Sequence, residues 1–264
     1  MRRRAATRKP VRAKSRVHFV ASLILPAQKR IDPGRLAARL RRKLRKTDRF
    51  REIESAGRVL QVDVAGGSAM LIQNDTPIPR QEMDDACLRA WHWPGARAAV
   101  TGHKANVVIA LLNTGLSQLD AALLLTRIVS AAIEETGAAA VYWGTSLQPR
   151  DAFLRDAAAA SRDRIPVMLW VDFRLSQDAA GSVSLSSHGL EDFGLMEIEA
   201  KDAPVAWHEL ARHAVGMAQY LIANGPVIGD RDTIGSAKAQ RIRVRHAPSY
   251  WRRGKKTYRL DFAA

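Results

Sequence analysis

The side chains that could carry chemistry in this chain are one histidine, two acids and two tryptophans. His188 lies in a predicted loop three residues before Glu191, and a histidine so placed can act as a general acid or base. Trp143, Trp170 and Asp172 belong to predicted strands, where they could line a cleft at the strand ends. Surface or capping histidines and tryptophans buried in a core are the commoner roles of these types. We therefore treat the five as candidate cleft residues and assign none of them a catalytic role.

Recognisable metal, cofactor and nucleophile motifs are missing from the sequence. His208 and His213 flank a glutamate as in zinc proteases, but they are five residues apart, about 140° around a helix, and cannot share one ion. The sequence contains no P-loop, no Gly-x-Ser-x-Gly elbow, no dinucleotide-binding glycine pattern and no Cys/His cluster. We predict no cofactor and no metal, and the sequence favours a protein without catalytic activity.

The elements that would position these residues are organised around one central unit. Asn106–Leu112 is apolar and β-branched, as in a buried strand. Ser117 can cap a following helix that is apolar on nearly every side, with Asp120 completing a short capping box and Gly137 ending it. A second apolar strand follows, and together they predict a β-α-β unit.

The two halves of the chain show the same order of predicted elements, which favours an α+β fold. Residues 17–102 and 103–264 each contain a strand, a helix, a hairpin and further helix, giving two similar α/β halves with largely antiparallel sheets covered by helices. The two halves could also form one compact unit. Pro166–Leu175 alternates apolar and mixed residues, which predicts one long strand.

The charge distribution divides the chain into an acidic body and three basic segments. Of the total net charge of +16, residues 1–16, 35–51 and 238–259 carry a combined +25, so the rest is acidic. Residues 1–16 have no periodicity and are predicted to be a disordered basic tail. Nucleic-acid binding through the three segments is one interpretation, although the segments contain few aromatics apart from Tyr250, Trp251 and Tyr258, which is not typical of it.

The sequence also predicts a soluble cytoplasmic protein. No apolar run approaches the roughly 18 residues of a membrane span. Cys87 is the one cysteine, so no internal disulfide can form, as is usual in a reducing compartment. The sequence does not indicate an oligomeric state.

Several short stretches, in order along residues 17–245, resemble a bacterial family catalogued as domain of unknown function 4261. The stretches are Pro77–Pro79, Trp91–Pro94, His103–Asn106, Ala140–Gly144, Pro166–Asp172, Gly189–Glu197 and Asp232–Gly235. The chain departs from the family pattern at Asn106, where histidine is common, and at Ser187-His188, where Thr-Arg is common. The resemblance implies no activity, cofactor or catalytic residue.

These observations lead to three functional expectations. The first is a non-catalytic protein that binds another protein, with an adaptor, immunity-like or secretion-accessory role, because an acidic body with basic segments suits electrostatic complementarity. The second is nucleic-acid binding. The third is a hydrolase or transferase that uses His188 with Glu191 or Asp172.

Overall fold

The computed structural model describes residues 17–235 and 242–262. The predicted tail 1–16, and Lys238 and Arg241 of the third basic segment, lie outside these residues. The described chain forms two sheets with helices packed on them, which confirms the predicted α+β class.

The first sheet has seven antiparallel strands in the order β2-β3-β4-β5-β1-β6-β7. They are β1 (Val17–Leu25), β2 (Ile53–Ala56), β3 (Val59–Val64), β4 (Gly67–Asn74), β5 (Ala105–Leu112), β6 (Ala140–Trp143) and β7 (Ser146–Pro149). Gly67 packs closely against the end of β5. A Cβ atom at this position would collide with the carbonyl oxygen of Leu112. This close approach accounts for glycine at the position.

The second sheet has six strands in the order β11-β12-β13-β10-β9-β8. They are β8 (Asp172–Gln177), β9 (Val183–His188), β10 (Glu197–Ala203), β11 (Thr233–Ile234), β12 (Ile242–Pro248) and β13 (Lys256–Phe262). All neighbours are antiparallel except β10 and β13, which run parallel. This parallel pairing brings the turn between β12 and β13 next to β9 and β10.

Seven α-helices in the described residues cover the sheets. They are α1 (Pro33–Lys43), α2 (Arg80–Arg89), α3 (Ala96–Val100), α4 (Gln118–Thr136), α5 (Arg150–Ala159), α6 (Val167–Trp170) and α7 (Trp207–Asn224). α4 packs on β1, β5, α1 and α5, whereas α7 packs on β8, β9 and β10. α2 and α3 cover the other face of the first sheet with a smaller apolar cluster that includes Ile78, Met83 and Tyr142.

The central β-α-β unit has the predicted helix ends. The Ser117 hydroxyl accepts a hydrogen bond from the Asp120 amide at 3.2 Å and donates to its carboxylate at 2.7 Å. Gly137 ends α4 with a φ of 73°, in the left-handed region. β5 and β6 both pair antiparallel with β1, which lies between them, so the two strands joined by α4 run parallel.

The predicted strand Pro166–Leu175 is wrong in its first half. The Leu169 amide bonds to the Pro166 carbonyl at 2.9 Å and the Val171 amide to that of Val167 at 2.9 Å, so this part is the helical turn α6. Short apolar β-branched runs fit either structure, and periodicity alone does not separate them. The turn directs Trp170 into the core, and the strand begins at Asp172.

One apolar core spans both sheets, and the predicted boundary at residues 102 and 103 falls inside the first sheet, since β5 pairs with β1 and β4. Buried ion pairs accompany this core. Arg127 of α4 donates two hydrogen bonds of 3.0 Å to the carboxylate of Asp48, which is 6% exposed. Such a pair ties the segment after α1 to the central helix.

Candidate functional site

The polar face of the second sheet contains the most concentrated group of charged side chains near the predicted residues. Directly opposed residues of an antiparallel pair point to one face, and the opposed pairs of β8 and β9 are Asp172 with His188, Arg174 with Ser186, and Ser176 with Ser184. The turn 249–255 folds back next to this face. The result is a groove between two strands and a turn.

This groove, which we call the arginine groove, has a volume of about 400 Å³. Its polar lining side chains are Arg174, Ser176, Ser184, Ser186, His188 and Arg252, together with the indole of Trp251. Within the described residues, no carboxylate lines it. The lining therefore offers guanidinium, hydroxyl and imidazole groups, which suit an anion.

Glu199 of β10 holds the turn in place. Its carboxylate is 1% exposed and accepts hydrogen bonds from the Ser249 hydroxyl, from the Tyr250 amide at 2.8 Å and from the Thr257 hydroxyl at 3.3 Å. The Ser249 hydroxyl in turn accepts from the amides of Trp251 and Arg252 at 3.1 and 2.8 Å. The turn is thus ordered by buried hydrogen bonds before any ligand arrives.

Glu197 of β10 holds the loop that follows His188 in the same way. Its carboxylate, 2% exposed, accepts hydrogen bonds from the Ser187 hydroxyl and from the amides of Gly189 and Glu191 at 2.8 and 3.2 Å. Burial raises the pKa of Glu197, while these hydrogen bonds and the charge of Arg252 act in the opposite direction. The loop after His188 is therefore anchored to the same strand as the turn.

His188 is the one predicted site residue that lines the groove. Its Nε2 atom lies 3.2 Å from the Ser186 hydroxyl. Burial and then the positive charges of Arg174, Arg252 and Arg89 lower the pKa of His188 to about 4. At neutral pH the imidazole is uncharged and weakly basic.

Asp172 lies next to the groove but points to two arginines instead of lining it. Its Oδ2 atom accepts a hydrogen bond of 3.0 Å from Arg174 Nε and lies 3.6 Å from Arg89 Nε. Burial raises the pKa of Asp172, and the hydrogen bond and charge of Arg174 oppose this effect. Asp172 therefore orients Arg174, whose Nη atoms have no hydrogen-bond partner among the described residues.

Glu191 lies beside the groove through its own cationic partners. Its carboxylate is 3.3 Å from both Arg252 Nη1 and Lys255 Nζ. Arg252 is 24% exposed, and within residues 17–235 and 242–262 its buried Nη2 atom has no hydrogen-bond partner. An orphaned buried N–H donor of this kind is rare and marks a place where a ligand oxygen could bind.

Trp143 and Trp170 lie in the core and do not line a cleft. They are 1% and 2% exposed, with ring centroids 6.3 Å apart. Both also pack against phenylalanine rings, and the Trp170 indole donates a hydrogen bond of 2.9 Å to the Thr126 hydroxyl. The expectation that they line a cleft at strand ends is therefore wrong for both tryptophans, whose large side chains are packed in the core.

The sequence reasoning missed Arg174, Ser186, Trp251 and Arg252 as members of one site. Arg174 belonged to the mixed face of a predicted strand, and Trp251 was one of few aromatics in a basic segment. Their meeting depends on a long-range parallel strand pairing that no local pattern shows.

Other site types have less support in the described residues. In residues 17–235 and 242–262, no group of three or more His, Cys, Asp and Glu side chains is arranged to hold a metal ion, and no helix is long and apolar enough to span a membrane. A larger groove of about 700 Å³ runs beside α7, lined in part by Met217, Tyr220 and Val227. Its lining mixes apolar side chains with Arg212, His213 and Asp232, so an acid stands among its polar groups.

Comparison with known proteins gives one match. No curated protein and no solved structure matches the chain significantly. A family model described as Domain of unknown function (DUF4261) matches residues 186–261, which run from β9 to the end of β13 and include the His188 loop and the turn 249–255. This match agrees with the resemblance seen in the sequence over residues 186–261, which make up less than half of the chain.

Proposed function

We propose that this protein is a non-catalytic binding protein that recognises an acidic surface of a partner protein through the turn 249–255. The observation that carries this proposal is a pair of exposed aromatic side chains in an ordered basic turn. Tyr250 and Trp251 are 41% and 49% exposed, although the Tyr250 amide donates a hydrogen bond to Glu199 and the Trp251 amide donates one to the Ser249 hydroxyl. Binding through such side chains costs little ordering entropy.

The composition of the turn is that of a protein-binding hot spot. Tryptophan, tyrosine and arginine dominate such sites. The Arg259 guanidinium lies 3.9 Å from the centroid of the Tyr250 ring, and the Trp251 ring lies 5.6 Å from that of Tyr250. Basic residues at 252, 253, 255, 256 and 259, with no acid between them, would attract an acidic partner and speed its association.

Catalysis is less well supported than binding. A general base must take up a proton during the reaction, and an effective one has a pKa near the working pH. His188 has a pKa of about 4 and is surrounded by guanidinium groups that oppose its protonation. Its role is better explained as a neutral hydrogen-bonding group.

Nucleic-acid binding through the three basic segments also has less support. Arg39 and Lys43 of the second segment pair with Glu134 and Glu135 of α4, at 3.1 to 3.4 Å and 2.6 Å, so these cations are already neutralised. One face of the Tyr250 ring is covered by Arg259, which leaves less room for base stacking. We place the proposed activity in the bacterial cytoplasm that the family resemblance and the single free thiol of Cys87 suggest.

The test is capture of a partner from the native host by the immobilised full chain. We expect a stoichiometric acidic protein that binds less tightly at higher salt. Trp251→Ala should weaken binding by about thirtyfold, the effect of losing a hot-spot residue. Tyr220→Ala is the matched control, because Tyr220 is 53% exposed on α7, away from the turn.

Three results would count against the proposal. One is equal capture by the Trp251→Ala variant and the control, and another is repeated recovery of the protein alone. The third is direct binding of DNA or RNA that is lost with Trp251→Ala and falls steeply with salt, which would make nucleic acid the ligand.

A further inference from the structure

We infer that the arginine groove binds a phosphate monoester, held by the guanidinium groups of Arg174 and Arg252 and by the side chains of Ser186 and His188. The inference rests on the proposed function only for its biological setting, since the groove lies next to the proposed partner surface. The chemistry of the groove can be tested without any partner.

The first argument is that the groove has unused hydrogen-bond donors. The buried Nη2 atom of Arg252 has no partner in the described part of the chain, although its Nη1 atom pairs with Glu191. Arg174 donates its Nε–H to Asp172, so its two terminal nitrogens can donate hydrogen bonds to a ligand. Two guanidinium groups from separate elements thus line one groove, and each has N–H groups that are not paired within the described residues.

The second argument is that the nearby acids are already engaged. Asp172 pairs with Arg174 and Arg89, Glu191 pairs with Arg252 and Lys255, and Glu197 accepts three hydrogen bonds from the loop after β9. None of these carboxylates lines the groove as far as the structure describes it. An entering anion therefore meets donors and not carboxylates.

The third argument concerns His188. Burial, and after it the positive charges of Arg174, Arg252 and Arg89, lower the pKa of His188 and keep the imidazole neutral at pH 7. The same three guanidinium charges would attract an anion bound beside the imidazole. A neutral imidazole can donate one hydrogen bond and accept another, so with the Ser186 hydroxyl it can complete the contacts to an oxyanion.

The fourth argument separates phosphate from carboxylate. Donors from β8, β9 and the turn surround the groove on several sides, which suits the three terminal oxygens of a phosphate better than the two of a carboxylate. At about 400 Å³ the groove has room for the group to which the phosphate is attached, and the half-exposed Trp251 indole offers a surface for it.

The experiment titrates the full chain with phenyl phosphate, inorganic phosphate and benzoate at constant ionic strength, while NMR follows the His188 imidazole and the Trp251 indole. We expect saturable shifts of both signals with phenyl phosphate, tighter binding than with inorganic phosphate, and at least tenfold weaker binding of benzoate. Because this measurement uses the unaltered protein, it does not depend on how variants fold.

Variants then assign the contacts. Arg174→Gln and Arg252→Gln should each weaken phenyl phosphate binding roughly tenfold, as expected for a charge-assisted hydrogen bond. Arg253→Gln removes the same charge from the same turn but does not line the groove, so it should bind as the native chain does. Equal loss in all three variants would indicate general charge attraction and would overturn the site.

Absence of saturable shifts, or benzoate binding as tightly as phenyl phosphate, would also overturn the inference, while partner capture could still succeed. If the site is real, phosphatase treatment of the captured partner distinguishes the two sources of the phosphate. Lost capture would identify a phosphorylated side chain of the partner, and unchanged capture would identify a small phosphate monoester.

Discussion

Lowering the pH should destabilise this protein through His188, and replacing His188 by glutamine should remove that part of the effect. The imidazole has a pKa of about 4 in the folded protein and 6.5 ordinarily, so the unfolded chain binds a proton first as the pH falls. The neutral imidazole makes its full contribution to the free energy of unfolding above pH 6.5, and this contribution is lost between pH 6.5 and about 4.

The size of this effect follows from the change in pKa. The decrease from 6.5 to about 4 corresponds to at most about 3 to 4 kcal/mol, at about 1.4 kcal/mol per pH unit. His188 is only partly buried, and screening by solvent reduces the expected effect to about 1 to 2 kcal/mol. The free energy of unfolding should therefore decrease by that amount more in the native chain than in His188→Gln between pH 7.5 and 4.

The assay is urea unfolding of both proteins at half-unit pH steps. Asp172 and Glu197 have raised pKa values, and their effect on stability has the opposite sign, because a carboxyl that is protonated more easily when folded gains stability as the pH falls. These groups are present in both proteins, so their effect cancels in the difference. A difference that stays constant with pH, or an NMR titration of His188 with a pKa near 6.5, would refute the reasoning.

Three further predictions concern stability, and urea unfolding at pH 7.5 measures each of them. Arg127→Leu should lower the free energy of unfolding by about 3 kcal/mol, because it leaves the Asp48 carboxylate buried without its bidentate partner; a loss below about 1 kcal/mol would contradict this. Gly67→Ala should cost about 2 kcal/mol or more, because the new Cβ would meet the carbonyl oxygen of Leu112, and alanine at Gly115, where the space is open and φ is not positive, serves for comparison. Trp170→Phe should cost at least about 1 kcal/mol, because it removes a buried indole donor along with packing, and an unchanged stability would contradict this.

Local signals in the sequence were sufficient to predict much of the fold. Ser117, Asp120 and Gly137 set the ends of α4, and Asp32 caps α1 by accepting a hydrogen bond of 2.7 Å from the Arg35 amide. Such caps depend on neighbours within a few residues, so the sequence shows them directly. The wrong strand at Pro166–Leu175 arose where tertiary packing decided between two local structures, as shown by the buried indole of Trp170.

The candidate site was harder to predict because its members meet only through distant pairings. Glu199 bonds to Ser249 and Tyr250, about fifty positions along the chain. Arg89 reaches Asp172 from a helix that packs across the edge of the second sheet. Of the predicted residues only His188 lines the arginine groove, and an unaided sequence could not have shown which cations would surround it.

The two buried glutamates of β10 explain how an exposed binding surface can be ordered in this fold. Glu197 and Glu199 are two residues apart, so both point to the same face of the sheet. Glu197 accepts hydrogen bonds from the loop that contains Glu191, and Glu199 accepts them from the turn that contains Arg252. The ion pair between Glu191 and Arg252 then joins these two segments beside the groove. Because burying a carboxylate is costly unless its oxygens are well satisfied, both glutamates strongly favour this one arrangement of the two loops. The polar residues of β10 thus hold the donors of the proposed site in position.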